Sequence, residues 1–125
     1  MMVPLRRALE DFLKQHGLTI ADVLDAMDET KEGALESLRK RAHLSDRDIK
    51  FIEKYLSARD INLLVLALQV FYLSYPSSLY RNLLIFPTRE EVVGPDGKVT
   101  REGLLKVMSA LGIRPKGRGL SVRSF

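Results

Sequence analysis

Apolar positions recur at helical spacing along most of this chain. Leu5, Leu9, Phe12 and Leu13 follow Pro4, a residue suited to a first helical position, and Gly17 closes the run. Thr19-Ile20-Ala21-Asp22 has the character of an amino-terminal cap, with Ile20, Val23, Leu24 and Met27 as a buried face that Ala34, Leu35, Leu38 and Ala42 continue. Ser45 opens a further helix that buries Ile49, Ile52 and Leu56, and Phe51 and Tyr55 widen its stripe. Thr88-Arg89-Glu90-Glu91 is a capping-box pattern, and Thr100 caps a last helix with Leu104, Leu105, Met108 and Leu111 inward and Gly112 as its stop. After Pro76, Ser77 or Ser78 is placed to start a short helix, while Leu83-Leu84-Ile85-Phe86 reads equally as a brief strand. Gly94-Pro95-Asp96-Gly97 is a turn that would let 92–99 close as one small β-hairpin. The expected fold is mostly α, a compact bundle of five to seven helices.

One stretch breaks the amphipathic rule. From Ile61 to Tyr80 no residue is charged, although 29% of the chain is Asp, Glu, Lys or Arg. Apolar side chains there go round the whole helix, so it must be covered on most sides, by a bundle or by a second copy of the protein. Self-association is expected through Leu64, Leu68, Phe71, Tyr72, Tyr75 and Leu79, with Asp60 as the helix cap. A membrane span is not expected, because Pro76 stops the helix early and Asn62, Gln69 and Ser74 lie within it.

Charge adds a second asymmetry. Residues 1–60 hold eleven basic and twelve acidic side chains, whereas 89–125 hold eight and four. Arg114, Lys116, Arg118 and Arg123 stand among Gly, Pro and Ser with no acid. The chain therefore divides into a helical domain, 1–112, and a basic carboxyl-terminal arm, 113–125. A second basic surface is expected where Arg39, Lys40 and Arg41 precede a helix bearing Arg47, Lys50 and Lys54 at spacings of three and four.

Residues 18–41 resemble the helix-turn-helix of the λ-repressor-like class in their opening threonine and later Arg/Lys-rich helix. That resemblance implies a sequence-reading regulator. Leu24 stands where the motif wants a small residue and Asp28 where it wants glycine. A single uninterrupted helix over 20–42 fits the same apolar positions more simply, with Asp22, Asp25, Glu29, Glu32 and Glu36 as an acidic stripe that repels phosphate. Asp96-Gly97 resembles the second half of an EF-hand loop, yet the ligand positions fall on Val92, Gly94 and Gly103, so no calcium is expected.

No cysteine is present, and none of the common nucleophile, zinc or phosphate-loop motifs occurs. His16 precedes Gly17, where it suits a helix carboxyl end better than general-base work. No cofactor, metal or catalytic residue is assigned. Arg6 and Arg7 are followed by Ala8-Leu9-Glu10-Asp11, not by the apolar core of a signal peptide, so an intracellular or virion-associated location is expected. The leading expectation is a non-enzymatic, self-associating helical protein that coats nucleic acid through phosphate contacts, of the structural, chromatin, virion or packaging type. The alternatives are an adapter whose tail docks an acidic protein and, third, a helix-turn-helix regulator.

Overall fold

The computed structural model describes residues 2–27, 30–73 and 84–114. Their order is β1 (Met2–Pro4), α1 (Leu5–Gln15), α2 (Ile20–Met27), α3 (Lys31–Arg39), α4 (Asp46–Tyr55), α5 (Ala58–Ala67), a π-helical turn (Leu68–Leu73), β2 (Leu84–Phe86), α6 (Arg89–Val92) and α7 (Arg101–Ala110). The bundle expected from the apolar periodicity is the architecture observed. No helix among the described residues is long and apolar enough to cross a membrane.

Local chemistry sets most helix starts. Thr19 and Asp22 exchange backbone hydrogen bonds ahead of α2, Thr30 accepts from the Gly33 amide at α3, and Ser45 and Asp48 form a reciprocal capping box at α4. Thr88 with Glu91 and Thr100 with Gly103 do the same work at α6 and α7. At the other end of α7, Gly112 adopts φ +75°. The Gly112 and Ile113 amides donate to Ser109 and Met108 carbonyls in a Schellman arrangement. This folds Ile113 back onto the core, where it is buried.

Four expectations are corrected. Residues 20–42 form two helices, not one, because the Thr30 side chain caps a new helix at Lys31. Pro4 is not the first helical residue. It ends β1, a strand whose parallel register with β2 pairs Met2 with Leu84, Val3 with Ile85 and Pro4 with Phe86. The strand reading of residues 84–86 is thereby realised. Ser57 and not Asp60 caps the apolar helix, and its hydroxyl accepts from the Asp60 amide. The expected 92–99 hairpin is reduced to one antiparallel bridge, Val93 to Val99.

Helix α5 lies at the centre of the bundle. Ile61, Leu63, Leu64, Val65, Ala67 and Leu68 are buried, as are Phe71 and Tyr72 in the π-helical turn. The Tyr72 hydroxyl donates to the Pro87 carbonyl at 2.6 Å, and burial pushes that hydroxyl's pKa up, helped by the Glu91 carboxylate. The apolar girth of this segment thus meets its cover within one chain. Leu64, Leu68, Phe71 and Tyr72 are buried within the one chain. Tyr75 and Leu79 lie outside the described residues.

Val99 joins the two ends of the chain's helical order. Its amide donates to the Arg41 carbonyl and its carbonyl accepts from the His43 amide, giving a parallel bridge to Ala42 alongside the antiparallel one to Val93. The α3–α4 connection is therefore hydrogen-bonded to the turn between α6 and α7.

Candidate nucleic-acid interface

The basic residues expected to meet phosphate fall on three parts of the molecule. On α4, Asp48 and Ile52 face the core with Ile49 and Tyr55 beside them, which leaves Arg47, Lys50 and Lys54 on the exposed side. Successive residues turn by about 100°, so these three cations lie within one narrow strip of the helix surface. Arg39 and Lys40 project at the exposed end of α3. Among the described residues, no carboxylate lies within ion-pairing distance of Arg39, Lys40, Arg47, Lys50 or Lys54. By contrast, Arg6, Arg59, Arg101 and Lys106 each hold an acidic partner.

Arg41 behaves differently from its neighbours. Its Nε donates to Gln69 Oε1 at 3.2 Å and its Nη1 to the Ser37 carbonyl at 2.8 Å. These bonds draw the guanidinium across the bundle toward the π-helical turn and away from the expected phosphate-contact set. His43 contacts the Asp96 carboxylate on the turn of residues 94–97. That hydrogen bond, with one from the Lys98 amide, holds the Asp96 carboxyl below the usual carboxylate range.

Arg101 opens α7 beside α4, where its Nε donates to Asp48 at 3.0 Å. Arg114 stands beyond the far end of α7, a ten-residue helix about 15 Å long. Arg114 is exposed, and Lys116, Arg118 and Arg123 lie outside the described residues.

Beside the strip, α3 and α4 frame a groove of about 550 Å³ lined by Lys31, Glu32, Leu35, Glu36, Arg39, Ile49 and Glu53. Its three glutamates outnumber its two cations. Lys31 is further committed to the Glu53 carbonyl at 2.8 Å. This side of α4 disfavours a polyanion, and the Arg47, Lys50 and Lys54 side favours one. Two of these glutamates, Glu32 and Glu36, lie on the exposed face of α3.

Sequence reasoning missed the company these cations keep. Phe51 and Tyr55 are half-buried beside them, with ring centroids 4.9 Å apart and planes at 52°, and Lys54 Nζ sits 5.3 Å from the Tyr55 ring centre. The signal was present in the spacing, since Arg47, Phe51 and Tyr55 stand four apart and so form one row. The Asp48–Arg101 pair was also missed. Burial pushes the Asp48 carboxyl up, but hydrogen bonds from Arg101 and from the Ser45 amide and hydroxyl outweigh it and hold the group below its usual range.

Among the described residues no group of three His, Cys, Asp or Glu converges as a metal site, and His16 is the carboxyl-terminal cap of α1 against the Phe12 ring. No family model, curated protein or solved structure matches this chain.

Proposed function

We propose that this protein is a non-enzymatic nucleic-acid-binding protein that grips the phosphate backbone without reading sequence. The observation that carries this is the strip of Arg47, Lys50 and Lys54 on α4, three exposed cations without carboxylate partners among the described residues; Arg39 and Lys40, exposed at the end of α3, likewise have none there. Cations free of partners exchange only water and counterions for phosphate, so their binding energy is not spent breaking ion pairs. The basic arm of the sequence adds Arg114, Lys116, Arg118 and Arg123 as further cations. Binding of this kind needs no second copy, because one chain already buries α5.

The test is binding to a random-sequence duplex and to a random-sequence single strand across a salt series, comparing the full chain with one ending at Ile113. Five to seven phosphate contacts give a log–log salt slope of about −4 to −6 on duplex, and somewhat less on a single strand. Loss of affinity on truncation would make the arm a principal contact. No binding to either nucleic acid at low salt would contradict the proposal and favour an acidic protein partner. Strong preference for one duplex sequence would favour the helix-turn-helix reading instead.

A further inference from the structure

We infer that the α4 face takes a single strand of nucleic acid, with a base on the Tyr55 ring and consecutive phosphates on Lys50 and Lys54; this rests on the backbone-binding reading above. Two adjacent rows run along the exposed side of α4. One is Lys50 and Lys54, with Asp46 one turn before them, the other Arg47, Phe51 and Tyr55, and within each row the side chains repeat at about 6 Å along the axis. A row of cations beside a row ending in aromatics matches a strand that presents phosphates on one edge and unpaired bases on the other.

The rings are built to stay in place. Phe51 and Tyr55 both pack against the hydrophobic core, and the Phe51 ring buttresses Tyr55 at 4.9 Å. A ring held in this way loses little freedom when a base stacks on it. Lys54 Nζ lies over the Tyr55 ring at 5.3 Å. A phosphate would draw that ammonium outward and leave the ring face to the base.

Width selects the single strand over the duplex. The strip is bounded on its groove side by Glu53, with Glu32 and Glu36 beyond it on α3. One backbone fits this positive band, whereas a duplex would press its second backbone toward the glutamates. A duplex also hides its base faces within the stack, out of reach of a half-buried tyrosine.

The experiment measures affinity for an oligothymidylate and for a random-sequence duplex of equal length, using the full chain and the variants Tyr55→Leu and Tyr55→Phe. Stacking on one aromatic predicts that Tyr55→Leu weakens the oligothymidylate roughly 5- to 100-fold, while duplex binding changes less than about twofold. Tyr55→Phe keeps the ring and with it the affinity. The chain has four tyrosines and no tryptophan, so binding also quenches tyrosine emission, and Tyr55→Phe removes that part of the quench. Far-UV circular dichroism checks that each variant folds, and Tyr55→Phe decides the matter through the quench if Tyr55→Leu does not. Single-strand affinity and quench unaffected by these changes would overturn the stacking inference and leave backbone binding standing. Absence of binding to both probes by the parent chain would overturn both.

Discussion

Substituting Gly103 with alanine tests how closely α6 and α7 approach. A Cβ at this position would lie 2.4 Å from the Val92 carbonyl oxygen, 2.6 Å from its Cα and 2.8 Å from its carbonyl carbon. These are backbone atoms, which no rotamer change can move. Restoring ordinary contact near 3.4 Å requires the two helices to part by about 1 Å, across an interface that buries Val92, Leu104, Val107 and Met108. Overpacking of this kind costs about 1–3 kcal/mol. The separation also strains the bond from the Thr100 amide to the Val92 carbonyl, 3.0 Å long, which contributes about 1 kcal/mol. Against this stands the helix propensity of alanine over glycine, worth at most about 1 kcal/mol. The net expectation is a loss of about 2 kcal/mol, or a melting temperature lower by roughly 6–10 °C for a chain of this size. Thermal unfolding followed by circular dichroism at 222 nm measures it. A melting temperature unchanged or raised would show that propensity wins and that the close approach is not as described.

Two further substitutions probe buried polar groups. Asn62 is 3% exposed and its Oδ1 finds no hydrogen-bond partner among the described residues, so Asn62→Leu should stabilise the fold by about 1–2 kcal/mol in urea unfolding. A loss of that size would reveal a bond to the amide oxygen. Asp48→Asn removes the charge facing Arg101 and should cost about 1–2 kcal/mol at pH 7, below the usual figure for a buried pair because Arg101 is 40% exposed. Asp48 has a depressed pKa in the folded chain, so its contribution is present above the unfolded value near 3.9 and fades as pH falls through the lower folded value. The parent and Asp48→Asn stability curves should therefore converge in acid, and curves that stay parallel from pH 7 to pH 2 would contradict the assignment.

What could be read from the sequence was the local chemistry. Caps at Thr19, Ser45 and Thr100 accept from amides three residues on, and Thr88 donates to Glu91 at the same spacing, so residue type and spacing suffice to find them. The demand that 61–73 be covered was legible too, but not what covers it, since helix girth says nothing about whether the neighbour belongs to the same chain. Non-local features left no local mark. Met2–Pro4 pairs with Leu84–Phe86 across nearly the whole chain, and Val99 is fixed by Arg41 and His43 from a distant loop. Gly103 sat at a failed calcium-ligand position, and its actual role depends on where Val92 passes. The break at Thr30 was hidden because the apolar positions on either side stay in helical phase.

The candidate surface was legible to a similar depth. Arg47, Lys50 and Lys54 at three- and four-residue spacing had to share a face, and they do. That Arg41 would be held by Gln69 depended on a residue in another helical segment. Phe51 and Tyr55 looked like a widening of the buried stripe, which is half of what they are. Their half-buried position beside the cations emerges only when α4 is packed.

The most direct test of backbone binding is the salt slope of the full chain beside that of the triple variant Arg47→Gln, Lys50→Gln, Lys54→Gln, on a random-sequence single strand. Each phosphate contact contributes about 0.7 to the slope there, so the account predicts a decrease in magnitude of roughly 2 with the helical signal unchanged. Equal slopes and equal affinities for the two proteins would contradict it, and would remove α4 from the binding surface.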